Sequence, residues 1–404
     1  MKFSDELMNR SRLGINPGLD TILAAAEVLG KPQLALGKVI HVAGTNGKGA
    51  VCAILDAVLK GARYTSPHLV KINERFSLNG RPVADEQLEL AAAALSKLPQ
   101  KLAQALTYFE TLTLTAFQLF ADAKPEWTIL ETGLGGRWDA TNICQPTLTI
   151  ITRIGLDHCQ WLGNTIEAIA AEKAGIIKPG VPIVLGKNEL VVREIIEARA
   201  RELSAPFIYA PDLISEAELP RDFSLTGSFN RENLVTALAA LKTLKLKVNS
   251  LPSVVWPARF QRVGNFIVDG AHNPPAAVAL ARALHEEGVA DHSLNLIFGA
   301  CADKAVDEVL ALLAPFVKEG FAVATNNPRS LSAAATAEKM RALNLRAIAC
   351  PSLQAALEAA SSGLICGSLF LAGEALVALK SYPWGDIRFD PSEGGGLRIA
   401  QNMI

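Results

Sequence analysis

Six consecutive residues, Gly44-Thr45-Asn46-Gly47-Lys48-Gly49, carry the clearest chemical instruction in the chain. They follow the apolar run Val39-Ile40-His41-Val42-Ala43 and precede Val51, Ile54, Leu55, Val58 and Leu59, which are spaced for one face of a helix. A strand, a glycine turn and a helix start bring backbone N–H groups and the positive end of a helix dipole together, which suits anionic oxygens. Lys48 adds a charge able to reach the outer phosphates of a nucleotide. ATP use is the expectation. Two positions depart from the commonest phosphate loop: Val42 stands where a glycine is usual, and Gly49 where a Ser or Thr hydroxyl would hold magnesium. The competing reading is a plain strand-to-helix turn with a solvent lysine.

Other groups have the chemistry to complete such a site. Thr128-Ile129-Leu130-Glu131 reads as a buried strand ending in a carboxylate, followed by Gly133-Leu134-Gly135-Gly136-Arg137. A carboxylate at the carboxyl end of a parallel strand is well placed for magnesium; the alternative is a surface acid paired with Arg137. Asp157-His158 follows a strand-like run, and His158 reads as a ligand, an acid–base group or a satisfied loop histidine. Ser66, in Tyr64-Thr65-Ser66-Pro67-His68, offers the metal oxygen missing after Lys48, or is an ordinary Ser-Pro turn. Lys173 closes a helix, where a lysine usually compensates the dipole. Asp269-Gly270-Ala271-His272-Asn273-Pro274 ends the first strand expected beyond the hinge described below, with Asp269 and His272 of a chemistry that can hydrogen-bond a ligand and Asn273-Pro274 opening a helix. Arg259, on that hinge, is suited to a phosphate or to solvent.

The elements that must position these groups alternate from end to end. Strands are expected over 38–43, 127–132, 147–152, 182–185, 266–269, 294–299, 321–325 and 368–372. Helices are expected over 49–60, 85–96, 111–122, 165–174, 190–203, 231–242, 275–287, 303–317 and 352–361. That alternation predicts an α/β fold with largely parallel sheets. The proline-interrupted stretch Leu251–Pro257 reads as a hinge, with a domain boundary at 255.

The chain has 404 residues, enough for two domains, and half of them are hydrophobic. A net charge of −1 gives no global field for nucleic acid or an anionic membrane. Six scattered cysteines without a C-x-x-C pair argue against a zinc site and a disulfide framework and fit a reducing cytoplasm. The start lacks the apolar core of a secretory leader, and no apolar run is long enough to span a bilayer.

In their order, the stretches His41–Gly49, Tyr64–Leu69, Asn73–Phe76, Glu131–Arg137 with Asp139–Asn142, and Leu156–His158 resemble the folylpolyglutamate synthase and dihydrofolate synthase family, relatives of the Mur ligases. So do Glu172–Pro179, Trp256–Arg259, Asp269–Pro274, Asn327–Ser330 and Gly367–Leu369 ahead of Gly373-Glu374, so the likeness spans nearly the whole chain. The resemblance implies an N-terminal P-loop ATPase and folate-binding domain with a mostly parallel sheet (1–254) and a smaller C-terminal Rossmann-like glutamate ligase domain (255–404). It implies an ATP-dependent amide ligase that adds L-glutamate to dihydropteroate and to tetrahydrofolates through an acyl phosphate. Gly44, Thr45, Asn46, Gly47, Lys48, Gly49 and Ala50 would hold the phosphates, with Asn233, Arg259, Asp269 and His272 contacting ATP across a domain cleft. Ser66, Glu131 and His158 would be magnesium ligands, with two metal sites and a monovalent cation besides. Lys48, Glu131, His158 and Lys173 form the implied catalytic set, Lys173 as the carbamate N6-carboxylysine. Ile15, Asn16 and Pro17, Thr107, Tyr108, Phe109 and Glu110, and Trp138, Asp139 and Ala140 fall where the two-function members hold the pterin. Phe109 reads equally as a core aromatic. The implied partners are small molecules alone, for a cytoplasmic monomer that binds neither nucleic acid nor membrane.

Two features depart from the family pattern. Ala50 replaces the usual Ser or Thr, and Leu59–Tyr64 is several residues short of the helix, turn and second strand that precede Thr-Ser-Pro in relatives. The shortening puts the placement of Ser66 in question. Two other functions compete: a Mur-type ligase acting on a muramyl substrate, and a nucleotide-binding regulator without activity. Against the first, only about 35 residues precede the phosphate loop, far below an ordinary domain.

Overall fold

A computed structural model describes residues 7, 14, 17–220, 222–248 and 250–384. The described residues group into two compact units. One comprises those up to Phe223 together with Glu232–Val254; the other comprises Ser224–Arg231 and those from Val255 onward. The grouping departs from a single cut at 255, because Ser224–Arg231 is tied to the later segment. Thr226 Oγ1 donates to the Phe260 carbonyl at 2.9 Å, and Phe229 packs on the second unit's core.

In the first unit, the described strands are β1 (Lys38–Ala43), β2 (Ala62–Tyr64), β3 (Phe76–Leu78), β4 (Arg81–Pro82), β5 (Trp127–Glu131), β6 (Pro146–Ile151), β7 (Ile183–Leu185) and β8 (Phe207–Tyr209). They form one sheet in the order β4-β3-β2-β5-β1-β6-β7-β8. Pairing is parallel from β2 to β8 and antiparallel only at β2–β3–β4. β1 and β5 are buried almost throughout, as the near-continuous apolar runs of a sheet covered on both faces require. Helices Ile166–Lys173 and Leu190–Glu202 cover one flank, where Ile151, Ile169, Ile183 and Ile196 are fully buried together. Each such side chain contributes about 1.5–3 kcal/mol by leaving water.

In the second unit, β9 (Gln261–Val263), β10 (Phe266–Val268), β11 (Leu294–Phe298), β12 (Val317–Ala322), β13 (Ala347–Ala349) and β14 (Gly363–Cys366) run in the order β13-β12-β11-β14-β10-β9. All are parallel except the β9–β10 pair. The α/β class with largely parallel sheets therefore holds.

Several expected elements are corrected. Residues 368–372 are not a strand: the strand is Gly363–Cys366, and Ser368 caps helix Leu369–Ala378 by accepting from the Phe370 amide at 3.0 Å. A short apolar run in a largely buried helix looks like a buried strand. The strand expected at 321–325 lies at Val317–Ala322, its start hidden by the polar pair Lys318-Glu319. The helix expected over 303–317 is confined to Val306–Leu313, with a single 3₁₀ turn around Pro315. Asp269 ends the second strand beyond the hinge rather than the first, because β9 precedes it. The abbreviated Leu59–Tyr64 stretch does complete helix, turn and strand. Helix Lys48–Leu59 ends on Lys60 at φ 49, and β2 begins at Ala62.

Candidate active site

The register of the first sheet builds the site. Val42 lies opposite Glu131 and Ala43 opposite Ile151, so the chain leaves β1, β5 and β6 at one edge. Segments run in opposite directions away from central β1, the arrangement in which open α/β sheets bind ligands. Val42 is inside β1, which removes any need for a glycine there. The loop starts at Gly44 (φ 153), where a Cβ would lie 1.8 Å from Thr152 Oγ1, and turns at Gly47 (φ 90), where a Cβ would lie 2.2 Å from Asn233 Oδ1. Both contacts exclude side chains, and the second places Asn233 against the loop. The amides of Thr45 and Asn46 donate to the Arg153 carbonyl at 2.9 and 3.2 Å. They hold the loop to the β6 exit, so the amides left for phosphate are those at the helix start. Ala50, on the first turn of that helix, is buried.

Lys48 Nζ donates to the Thr45 carbonyl at 3.2 Å and lies 3.9 Å from Glu131 Oε1. Glu131, 3 % exposed, accepts the Ser66 amide on Oε2 at 3.1 Å. This puts Ser66 beside the carboxylate despite the short connection before it. Ser66 Oγ is buried without a hydrogen-bond partner. A bare hydroxyl oxygen next to a carboxylate fits magnesium, which takes one or two protein oxygens and fills its octahedron with water and substrate phosphate. Among the described residues no three His, Cys, Asp or Glu side chains cluster to hold an ion by themselves, so phosphate oxygens would have to complete the shell. His158 opens the short helix Cys159–Leu162 at φ 52, its Nε2 3.8 Å from Asp157 Oδ1. Arg137 pairs with Glu172 at 3.7 Å; the surface pair Glu131–Arg137 is not the arrangement adopted.

Lys173 is buried at the end of its helix and donates from Nζ to the Gly44 carbonyl at 2.8 Å. Burial, and then the Lys48 charge, push its amine down to about 7, with Asp157 the first group opposing them. Sequence reasoning gave Asp157 no such role; its place one residue before His158 was the available signal.

The suggested pterin positions divide. Ile15 and Asn16 lie outside the described residues, and Pro17 is exposed. Thr107 and Glu110 form a reciprocal cap on helix Tyr108–Ala123, the Glu110 amide donating to Thr107 Oγ1 at 3.2 Å and the Thr107 amide to Glu110 Oε2 at 2.8 Å. Phe109 stands over Gly133, where a Cβ would meet its ring at 2.5 Å. Trp138 is exposed, whereas Asp139 and Ala140 are buried. Asp139 staples the loop after Glu131: it accepts the Gly133 and Leu134 amides on one oxygen and the Thr141 amide and hydroxyl on the other. Thr141 Oγ1 then accepts from His41 Nε2 at 2.8 Å, so the ring proton sits on Nε2. Burial drives His41 down to about 3, which keeps it neutral.

In the second unit Asp269 is buried and accepts the Phe260 and Ala271 amides at 2.7 and 2.8 Å. Burial raises its carboxyl, and Arg259 opposes that shift. Arg259 Nη1 donates to the Ala258 carbonyl, and His272 Nδ1 lies 2.8 Å from the Gly270 carbonyl. These residues form one cluster at the exit of β10.

A glycine loop on the central strand, a buried acid on its neighbour and two lysines beside them define a ligase of the Mur type that uses ATP. Residues 42–202 match the Mur ligase middle domain, and residues 258–371 the Mur ligase glutamate ligase domain. Within that class the chain belongs to the dihydrofolate synthase/folylpolyglutamate synthase family. It is 34% identical over 346 residues to dihydrofolate synthase/folylpolyglutamate synthase of Bacillus subtilis, covering 75% of this chain and 80% of the relative. Escherichia coli FolC in complex with DHPP and ADP superposes with a TM-score of 0.82 at 29% identity, over 94% of this chain and 98% of that one. The bifunctional Yersinia pestis enzyme complexed with AMPPNP and Mn gives 0.79 at 31% identity, over 91% and 94%.

Proposed function

We propose that this chain joins L-glutamate through its amine to the carboxylate of dihydropteroate, and likewise to tetrahydrofolates, converting ATP to ADP and phosphate. The observation that carries this reading is Lys48 Nζ 3.9 Å from Glu131 Oε1, at the edge where the phosphate loop leaves β1. A carboxylate is a poor acyl donor because oxide is its leaving group. Attack of a carboxylate oxygen on the γ-phosphorus gives an acyl phosphate, and the glutamate amine then displaces phosphate from the acyl carbon. Lys48 and the amides at the helix start face the charge that moves with the phosphoryl group. Ser66, Glu131 and His158 would hold magnesium at two sites, which supplies charge neutralisation for that transfer. A monovalent cation completes the cofactor set. Lys173, with its amine near neutrality, is suited to take up CO₂ as a carbamate, exchanging a buried cation for an anion beside the metals.

On this reading Pro17, Thr107–Glu110 and Trp138–Ala140 line the pterin site, Phe109 by stacking. Asn233, Arg259, Asp269 and His272 serve ATP, and the chain from 255 onward forms the glutamate ligase domain. The protein works as a cytoplasmic monomer; no helix among the described residues is long and apolar enough to cross a membrane. Phosphate release, measured with ATP, magnesium and glutamate while dihydropteroate, tetrahydrofolate or a UDP-muramyl peptide is added in turn, tests the assignment. Release is expected with the two folate acceptors; release with the muramyl peptide alone, or with none, would overturn it.

A further inference from the structure

Arg75 is among the largest fully buried side chains in the molecule, 1 % exposed, between the Ser66–Val70 segment and the start of helix Tyr108–Ala123. Its Nε donates to His68 Nδ1 at 3.0 Å, and its guanidinium carbon lies 5.7 Å from the centre of the Tyr108 ring. Nη1 and Nη2 are buried and have no hydrogen-bond partner. The adjacent acid, Glu74, accepts the Leu69, Val70 and Lys71 amides instead. A guanidinium is cationic under all ordinary conditions, and a buried cation with two idle donors is costly unless it receives an anion. Arg63, also buried, has by contrast a carboxylate beside it, Asp56 at 3.4 Å.

The fork geometry of two Nη groups matches the two oxygens of a carboxylate. The surroundings match an aryl acid: Tyr64 packs on Phe76 and on Phe109 with ring centres 5.5 and 5.9 Å apart, and Phe109 reaches the glycine loop after Glu131. His68 lies two residues beyond Ser66, whose amide is bonded to Glu131. The cation is therefore tied through His68 to the segment whose Ser66 amide is bonded to Glu131, the group facing Lys48. We propose that the paired Nη groups of Arg75 receive the carboxylate of the aryl acid acceptor before it is phosphorylated, and so select the acid against neutral analogues. This rests on the ligase reading given above. Both Nη groups are closed off from solvent, so entry of the acid displaces a wall side chain, and the water-poor surroundings strengthen the charge-assisted bonds that form.

Equilibrium binding of dihydropteroate and of its carboxamide, followed by pterin fluorescence on the full chain with ATP analogue present, tests this. The unaltered protein should prefer the acid about 10- to 100-fold, the range of a charge-assisted bidentate pair. Arg75→Gln should erase the preference while leaving carboxamide and nucleotide binding unchanged, and Arg75→Lys should restore part of it. An unchanged preference in Arg75→Gln, no preference in the unaltered protein, or equal loss of both ligands would overturn the assignment, the last marking a purely structural arginine. If the unaltered protein binds neither ligand, the ligase reading itself fails and this one falls with it. Should neither variant fold, a crystal of the unaltered protein with dihydropteroate decides: a carboxylate within hydrogen-bond reach of both Nη groups supports the assignment, and any other placement refutes it.

Discussion

The carboxyl end of β10 in one sheet and those of β1 and β5 in the other are built in contrasting ways. At the end of β10, Asp269 has amide donors on both oxygens, Asn273 caps the following helix, and Ser368 caps the helix after β14. At the ends of β1 and β5, Lys48 and Glu131 stop 3.9 Å apart, Ser66 Oγ is unpartnered, and Lys173 is buried with its amine near neutrality. Groups fixed by neighbouring amides suit holding a ligand in place; charged groups gathered at one edge suit charge that arrives with substrate. The difference supports the proposed reading, with reaction chemistry at the first edge and a binding role at the second.

Substitutions can break this contrast, and Glu131→Gln should do so most severely. Losing one charge at the reacting edge is expected to lower kcat by about a thousandfold or more, with little change in melting temperature. Near-normal phosphate release in that variant would remove the contrast. Gly44→Ala comes next. The added methyl collides with Thr152 at an unfavourable φ, so a loss of at least about 2 kcal/mol in denaturant unfolding is expected together with lost nucleotide binding.

Lys173 sharpens the comparison through pH. Its amine is lowered from 10.5 to about 7, so between those values the unfolded chain binds more protons than the folded one. Its penalty on folding is full below about pH 7 and is relieved as pH rises toward 10.5. Lys173→Met should therefore stabilise the protein by a few kcal/mol at pH 6 and much less at pH 10, while abolishing turnover. Denaturant melts at the two pH values check this; an equal effect at both would show that the lysine is not desolvated. Asn273→Ala should have the smallest effect, about 1 kcal/mol of stability from the lost cap, with kcat unchanged.

How much of this could be read from the residues follows from the same physics. Local rules were legible. The glycine-lysine turn between an apolar run and a helical period located β1, the loop and helix Lys48–Leu59, and Asn273-Pro274 announced its helix. Long-range pairing was not. Nothing in Thr45-Asn46 says that their amides are taken by Arg153, and nothing in Asp139 says that four donors converge on it. Nothing in Asn73–Phe76 says that Arg75 is buried, with His68 and the Tyr108 ring as its neighbours. The start of helix Leu369–Ala378 reads as a strand because burial of every residue from Phe370 to Leu376 erases the period that distinguishes helix from strand.

The central claim is that the γ-phosphoryl group passes to the acceptor acid at the edge held by Lys48 and Glu131. Dihydropteroate carrying heavy oxygen in its carboxylate, turned over with ATP and glutamate, tests it most directly. Phosphate released with one heavy oxygen per turnover, and none from Glu131→Gln, is the predicted result. Phosphate without the label, while amide product still forms, would contradict it.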